Sequence, residues 1–224
     1  MGITVDFNED GCAIITMRNG QNRWNPTSLK QFKEALDEVE RKDSVKILVT
    51  TGVGKFYSNG LDLDYLKAHE SEREQFSNDL VELFWRLMYF PLPTVAAING
   101  HCFAGGAFFA LCHDYRVMRS DRGWISLNEV LIHLRITGPF RDVLQHKMNA
   151  EALRESTIFA KRITGPEAVR LKMVDATAAE SDLMSKSKSV GFEALGSNVI
   201  QRVDLHNMKK DLFPRSDVHR KSNL

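Results

Sequence analysis

The most constraining feature of this sequence is a run of residues with almost no side chain that follows a short apolar segment. Thr94–Ile98 contains β-branched residues and is bounded by Pro93 and Asn99-Gly100, which predicts a buried strand that ends in a turn. Residues 104–107 read Ala-Gly-Gly-Ala, and the apolar residues after them predict a helix. Glycines at a helix start leave backbone N–H groups bare, and such groups suit a negatively charged oxygen. The alternative is that these glycines serve close packing alone.

A single carboxylate follows in an otherwise apolar segment. Glu129 lies within residues 125–131, which read Ile-Ser-Leu-Asn-Glu-Val-Leu. It is either a solvated residue on an irregular strand or a base held in a dry site, where burial would raise its pKa.

Composition predicts one globular domain. The 224 residues suffice for a sizeable core, with room for a helical appendage. A net charge of +1 implies no attraction to nucleic acid or to a membrane surface. The three cysteines have no metal-ligand spacing, so we expect buried thiols in a reducing compartment and no metal. No apolar run approaches transmembrane length, and the three acidic residues within positions 1–11 argue against a leader peptide.

Periodicity predicts alternating strands and helices. Ile3–Phe7 and Cys12–Met17 are predicted to form a hairpin, and residues 45–50 a buried strand. Asn25 or Thr27 is predicted to cap a helix that runs to about residue 41, and Thr164 to form a capping box with Glu167. Residues 67–78 are predicted to be a solvated helix face or a mobile loop, and further helices are predicted over residues 80–88, 142–148, 150–159 and 181–213.

Several other groups have side chains or spacings that resemble functional sites. Residues 51–55 contain two glycines but lack the spacing of a phosphate-binding loop. Ser58 has no paired histidine that would activate it. Lys209 and Lys210 could meet a phosphate, although paired lysines are usually solvated. The adjacent pairs at 101–102 and 112–113 are interpreted as packing residues because neighbours on one strand face opposite ways; they are His101, Cys102, Cys112 and His113.

Two segments together resemble the crotonase superfamily, the enoyl-CoA hydratase/isomerase family. Residues 99–106 (Asn-Gly-His-Cys-Phe-Ala-Gly-Gly, with Asp114 after them) match its second oxyanion motif. Residues 56–63 (Phe-Tyr-Ser-Asn-Gly-Leu-Asp-Leu) match its first. The resemblance implies an α/β fold, a crotonase-like spiral of strand-strand-helix repeats with C-terminal helices. On this basis we divide the chain into a spiral core, residues 1–160, and a C-terminal helical region, residues 161–224.

The resemblance also implies the site. The backbone N–H groups of Leu61 and Gly105 would form an oxyanion hole, and Glu129 would be the catalytic carboxylate. The substrate would be an acyl-CoA thioester, with coenzyme A as part of the substrate and no separate cofactor. By analogy the protein would be a homotrimer. Expected substrate contacts are Ser58, Asn59, Gly60, Leu61, Asp62, Gly105 and Asn128.

One departure narrows the expected reaction. Hydratases of the family carry a first catalytic Glu three residues after the oxyanion glycine, where this chain has Phe108. The segment ending at Glu129 instead resembles delta-3,delta-2-enoyl-CoA isomerases of fatty-acid β-oxidation. One carboxylate suffices for that reaction, because a single base can take a proton from C2 and return it to C4. The alternatives are another reaction of the same fold, such as hydration, thioester hydrolysis or dehalogenation, and a catalytically silent acyl-CoA-binding protein.

The last three residues, Ser222-Asn223-Leu224, resemble the peroxisomal Ser-Lys-Leu address, with Asn in place of the basic residue. The expected location is therefore the peroxisome, with the cytoplasm as the alternative.

Overall fold

A computed structural model describes residues 2–136 and 138–216. Its strands are β1 (Ile3–Phe7), β2 (Cys12–Met17), β3 (Ile47–Gly52), β4 (Phe56–Ser58), β5 (Thr94–Ile98), β6 (His101–Phe103), β7 (Tyr115–Arg119), β8 (Ile125–Ser126) and β9 (Ala176–Ala178). Its α-helices are α1 (Pro26–Glu40), α2 (Leu63–Ala68), α3 (Arg73–Met88), α4 (Gly105–Leu111), α5 (Pro139–Lys147), α6 (Ala150–Leu153), α7 (Gly165–Arg170), α8 (Leu183–Leu195) and α9 (Arg202–Leu212).

The described strands form two sheets. The larger has the order β1-β2-β3-β5-β7-β9, in which β1 is antiparallel to β2 and the other neighbours are parallel. The smaller has the parallel order β4-β6-β8. After the β1-β2 hairpin and α1, the chain repeatedly adds one strand to the larger sheet, the next to the smaller sheet, and then helical structure, as in β5-β6-α4. The predicted α/β spiral of strand-strand-helix repeats is confirmed.

Local sequence signals account for several element bounds. Asn25 is the N-cap of α1, where its side chain accepts from Ser28 N at 3.0 Å and Ser28 Oγ accepts from Asn25 N at 2.9 Å. Asn25, rather than Thr27, therefore supplies the predicted cap. The strand predicted over residues 45–50 lies two residues later, because Val45 N donates to Lys42 O in a turn while Gly52 still pairs with Met17 of β2.

The central strands β3 and β5 of the larger sheet are buried on both faces. Alternate residues of β3 face opposite ways, as the period of a strand requires: Leu48 joins the main core, whereas Ile47 and Val49 join a second cluster with Leu183 of α8. Helices α1, α3 and α4 pack apolar side chains into the main core. Gly191 of α8 approaches the sheet so closely that a Cβ there would lie 2.9 Å from Ile47 Cδ1. All three cysteines are free and buried, as predicted.

The position of Lys209 in α9 corrects the expectation that this lysine is solvated or meets a phosphate. Lys209 of α9 is neither solvated nor free to meet a phosphate, because its Nζ donates to Asp114 at 2.6 Å, to Phe90 O at 2.9 Å and to Leu92 O at 3.1 Å. Only 6 % of Lys209 is exposed, so the lysine anchors α9 to the turn before β5.

Three further expectations concern the chain as a whole. The boundary at residue 160 stays a prediction, and β9 adds an edge strand to the larger sheet after it. Within residues 2–136 and 138–216, no helix is long and apolar enough to cross a bilayer. The address at residues 222–224 lies outside the described residues.

Candidate active site

The three parallel strands of the smaller sheet end at the same edge, and the segments after them line one cavity. β4 leads into Leu61, β6 into Gly105 and β8 into Glu129. Because the carboxyl ends of parallel strands meet at one edge of a sheet, residues far apart in sequence are brought together there. The cavity measures about 380 Å³.

The first backbone donor is oriented by a short parallel bridge. Trp24 N donates to Gly60 O at 2.8 Å, and Asp62 N donates to Trp24 O at 2.9 Å. Successive peptide groups of an extended chain point to opposite sides, so the N–H of Leu61 points away from Trp24. On that side lies Gly105, where a Cβ would be 3.6 Å from Leu61 N.

The second donor is the first residue of α4. The N–H of Gly105 has no acceptor one turn earlier in the helix, as for any helix start. Ala104 before it has a φ of 48°, an unusual value for a residue with a Cβ, and its N–H is tied to Ser126 O at 2.9 Å. Among the hydrogen bonds of the described residues, neither Leu61 N nor Gly105 N has a partner.

Gly60 allows the two donor segments to approach. Its φ is 76°, and a Cβ there would lie 3.0 Å from Gly105 N and 3.1 Å from Ala104 Cβ. A side chain at this position would be strained and would crowd the space between the two N–H groups. The arrangement fits a negatively charged oxygen held between two backbone donors.

Glu129 is the buried carboxylate of the cavity. It begins a short 3-10 turn, Glu129–Ile132, and only 7 % of the residue is exposed. Its Oε2 and the neighbouring Asn128 Oδ1 are buried without a hydrogen-bond partner among the described residues. Burial raises the pKa of Glu129 to about 7. A carboxylate with such a pKa can accept or return a proton at neutral pH.

The inner wall of the cavity is apolar. Phe108, one turn into α4, is buried and meets Phe140 edge-on at a centroid distance of 5.1 Å. An apolar wall excludes water and disfavours the charged form of Glu129. The remaining apolar lining residues are Leu63, Leu80, Phe103, Ile132, Leu134 and Ile136.

The mouth of the cavity carries basic side chains that the sequence analysis did not assign to the site. Arg23, Lys67 and Arg135 line it together with Asp64. Arg23 pairs with Asp64 at 3.0 Å and with Asp62 at 3.8 Å. Arg23 comes from the β2–α1 connection, and no pattern in the sequence indicates that this connection folds over the end of β4.

The structure brings five of the eight expected site residues to the cavity lining: Asn59, Leu61, Gly105, Asn128 and Glu129. The other three are not among the residues that line it. Ser58 is fully buried and donates to Asn22 O at 2.7 Å. Gly60 supplies the close approach described above. Asp62 caps α2 through Tyr65 N at 3.4 Å, the capping role also expected for it. The catalytic and substrate-contact roles themselves stay predictions.

The histidine and cysteine pairs are all buried, in agreement with their interpretation as packing residues. Burial raises the pKa of the Cys102 thiol far above its usual value and that of Cys112 to about 12, so neither is a ready nucleophile. In the part of the chain that the structure describes, no cluster of three or more His, Cys, Asp or Glu side chains could hold a metal ion.

Comparison with known proteins identifies related chains. Residues 8–213 match the model of the enoyl-CoA hydratase/isomerase family. The chain is 32 % identical to enoyl-CoA delta isomerase 3 of Arabidopsis thaliana over 219 residues, which cover 94 % of this chain and 92 % of that protein. It is 35 % identical to the peroxisomal enoyl-CoA delta isomerase 2 of the same plant, over 80 % and 78 % of the two chains.

A solved structure of an enoyl-CoA isomerase from Mycobacterium tuberculosis superposes with a TM-score of 0.82 at 27 % identity, covering 94 % of this chain and 90 % of the other. The family match extends over nearly the whole chain, and the fold agrees with it. The chain therefore belongs to the enoyl-CoA hydratase/isomerase family.

Proposed function

We propose that this protein is a delta-3,delta-2-enoyl-CoA isomerase. One observation carries the proposal: among the described residues, a single buried carboxylate, Glu129, shares an apolar cavity with two backbone N–H groups that have no hydrogen-bond partner. Asp64, the other carboxylate in the described lining, stands at the mouth with 82 % of its side chain exposed and is paired with Arg23. The plant relatives named enoyl-CoA delta isomerase support the same reaction.

In the proposed mechanism, ionised Glu129 takes a proton from C2 of a 3-enoyl thioester. The electron pair moves towards the thioester carbonyl, and the N–H groups of Leu61 and Gly105 donate to the developing oxyanion. Such donors stabilise the enolate more than the ground-state carbonyl and therefore lower the barrier. Glu129 then returns the proton to C4, the double bond lies between C2 and C3, and the carboxylate is ionised again.

The mouth of the cavity supports an acyl-CoA substrate. Arg23, Lys67 and Arg135 present positive charge where the acyl chain would leave the apolar interior. Arginine and lysine are the residues that bind phosphate groups, which coenzyme A carries at the far end from its thioester. We therefore infer that the acyl chain lies against the apolar wall, that the phosphates lie outside the cavity, and that the substrate is an intermediate of fatty-acid β-oxidation.

The main rival is hydration of a 2-enoyl thioester, since the family includes both reactions. Hydration requires one group to orient and deprotonate water and another to deliver a proton to carbon. Two carboxylates can divide these two tasks between them. Phe108 occupies the wall next to the donor glycine and offers no group for this task. Thioester hydrolysis and silent acyl-CoA binding remain as outcomes that the assay distinguishes.

The test is a direct assay with trans-3-hexenoyl-CoA that follows the ultraviolet absorbance of the conjugated product. We expect the wild type to isomerise it and Glu129→Gln to lose on the order of a hundred- to ten-thousandfold in kcat. Hydration of trans-2-hexenoyl-CoA is measured beside it. Undiminished isomerisation by Glu129→Gln would overturn the mechanism, and saturable binding without isomerisation would overturn the proposed reaction.

We also propose that the protein self-associates, as a trimer by family analogy. Large apolar side chains are exposed in the segment after Glu129 and at the end of the helical turn that follows α6. They are Val130, Leu131, Leu134, Ile158 and Phe159. Contiguous exposed apolar residues are typical of a surface that another chain covers. Sedimentation velocity tests this, and Leu131→Glu is expected to shift the protein towards the monomer.

A peroxisomal location is proposed from the Ser222-Asn223-Leu224 ending and from the peroxisomal relative. The test compares a fluorescent fusion that ends in Ser222-Asn223-Leu224 with one that lacks these three residues. Import of the first fusion alone is the expected result, and a cytoplasmic signal from both would overturn the proposal.

A further inference from the structure

Three buried polar residues that the proposed mechanism does not use form a continuous hydrogen-bonded chain beneath the site. Thr50 Oγ1 lies 2.7 Å from Tyr57 Oη and 2.8 Å from His113 Nε2. His113 Nδ1 lies 3.0 Å from Phe109 O. Tyr57, Thr50 and His113 are all fully buried. We call this set the Tyr57–Thr50–His113 chain.

The direction of each hydrogen bond in this chain follows from its acceptor. The carbonyl of Phe109 can only accept, so His113 Nδ1 carries the proton. Burial lowers the pKa of His113 to about 3, and the imidazole is therefore neutral. Its bare Nε2 accepts from the Thr50 hydroxyl, which leaves the Thr50 oxygen to accept from Tyr57. Every polar group of the chain is then satisfied, as buried groups require.

The Tyr57–Thr50–His113 chain connects the two segments that carry the backbone donors. Tyr57 belongs to β4 and precedes Leu61 by four residues. Phe109 belongs to α4, which begins at Gly105. Thr50 of β3 stands between them. The Tyr57–Thr50–His113 chain therefore joins β4, which leads to the N–H of Leu61, with α4, which begins at the N–H of Gly105.

Packing alone does not require these polar groups. The ring of Phe109 stacks against Tyr57 at 6.0 Å and meets His113 edge-on at 5.1 Å, contacts that apolar rings could make equally well. Burying hydroxyl and imidazole groups costs free energy that their hydrogen bonds only offset. The hydrogen bonds of the Tyr57–Thr50–His113 chain are directional, unlike apolar contacts. They therefore favour one relative placement of α4, β3 and β4.

We propose that Thr50, Tyr57 and His113 are positioning residues that hold α4 in register with β4, so that the N–H groups of Leu61 and Gly105 converge on one thioester oxygen. The inference rests on the proposed function, since it needs an acyl thioester in the cavity. None of the three residues lines the cavity, and they act through the backbone of the two donor segments.

The test removes the central hydroxyl and measures the strength of the oxyanion hole directly. Thr50→Val breaks both hydrogen bonds of Thr50 at nearly constant volume, whereas Thr50→Ser retains the hydroxyl. The matched control is Thr51→Val, because the adjacent Thr51 is also buried and donates to Ala97 O at 2.9 Å. All proteins are assayed well below the lowest unfolding temperature among them.

Two readouts separate positioning from stability. The first is kcat and KM with trans-3-hexenoyl-CoA. The second is the infrared C=O stretching frequency of bound hexanoyl-CoA labelled with carbon-13 at the thioester carbon. Stronger donation to the carbonyl oxygen lowers this frequency, and a change in global stability alone does not move it.

We expect kcat of Thr50→Val to be about tenfold lower with KM nearly unchanged, as for weakened transition-state donation. Its bound C=O frequency should move towards that of the free thioester, while Thr50→Ser and Thr51→Val match the wild type. Tyr57→Phe, which spares the Thr50–His113 bond, is expected to lose less activity and serves as the test if Thr50→Val does not fold.

Two different failures are distinguishable. Wild-type kcat and C=O frequency in both Thr50→Val and Tyr57→Phe, or equal losses in Thr51→Val, would overturn the positioning role and leave the proposed function intact. A wild-type protein that neither isomerises the substrate nor lowers the bound C=O frequency would overturn the proposed function and, with it, the inference.

Discussion

Gly106 of α4 lies directly against the backbone of Ser58, the last residue of β4. A Cβ on Gly106 would be 2.4 Å from Ser58 O and 2.8 Å from Ser58 Cβ, well inside contact distance. The second glycine of the pair therefore serves close packing, while the first leaves its N–H bare. Both interpretations of the glycine pair apply, one to each glycine.

Gly106→Ala is expected to push α4 away from β4 and to separate the N–H groups of Leu61 and Gly105. Weakening one such donor costs on the order of a hundredfold in kcat. Steady-state assays with trans-3-hexenoyl-CoA measure this loss. The control is Gly2→Ala, whose Cβ would meet only the flexible end of Gln31, and unchanged kcat in Gly106→Ala would contradict the geometry.

The pH dependence of kcat/KM follows from the burial of Glu129. Its pKa is raised to about 7, and the base must be ionised to take the first proton. We therefore expect kcat/KM to fall as the pH drops below about 7 and to reach a plateau above it, since this profile reports the free enzyme. A profile that stays flat down to pH 5 would show that Glu129 is not held in a dry site.

Phe108→Ala should move that profile. Removing the ring admits water to the cavity, which stabilises the ionised form of Glu129 and lowers its pKa. The inflection of kcat/KM is expected at a lower pH than in the wild type. Phe76→Ala is the matched control, since Phe76 is similarly buried but lies outside the cavity. It should lose stability, about 3–5 kcal/mol for such a truncation, without moving the inflection.

Stability should depend on pH through the same carboxylate. The pKa of Glu129 is raised from 4.5 to about 7 in the folded protein, so the folded state binds more protons between these values. The protonated form of Glu129 stabilises the folded state fully below pH 4.5. This stabilisation is lost as the pH rises through 7, which lowers the free energy of unfolding by about 3 kcal/mol. Glu129→Gln should therefore be the more stable protein at pH 8.

Urea unfolding at several pH values checks this difference. The gap between Glu129→Gln and the wild type should narrow as the pH falls from 8 to 4.5. The exposed Glu74→Gln serves as the control and should show no such gap. A constant difference across this range would contradict a raised pKa in the folded state.

The sequence predicted the parts of this molecule that local chemistry decides. The strand Thr94–Ile98 and the hairpin strands appear with the expected bounds because apolar runs between turn residues specify them. The local sequence around Glu129 is compatible with both a solvated residue and a buried base, because its burial depends on how residues far along the chain fold over it.

Long-range contacts were beyond the reach of pattern and spacing. The smaller sheet has strands of only two or three residues, too short to show a period, yet it aligns the three segments of the site. Arg23 reaches the mouth through the Trp24–Leu61 bridge, and Thr50 meets His113 across 63 residues of sequence. Such pairings arise from the topology, so the sequence pattern alone did not reveal them.

The two adjacent lysines of α9 provide the last prediction, because one is buried and the other is not. Lys209 donates to Asp114 and to two backbone carbonyls, whereas Lys210 is exposed. Lys209→Ala would leave the Asp114 carboxylate without its cation and is expected to lower the free energy of unfolding by about 3–5 kcal/mol. Lys210→Ala should be close to neutral.

Urea unfolding of the two variants, together with KM for trans-3-hexenoyl-CoA, separates anchoring from substrate binding. If Lys209 anchors α9, its replacement lowers stability and leaves KM nearly unchanged under conditions where the variant is folded. A raised KM with unchanged stability would instead place Lys209 in contact with the coenzyme A phosphates. The burial of its Nζ against Phe90 O and Leu92 O argues for the first outcome, since a cation already committed to three acceptors has no donor to spare.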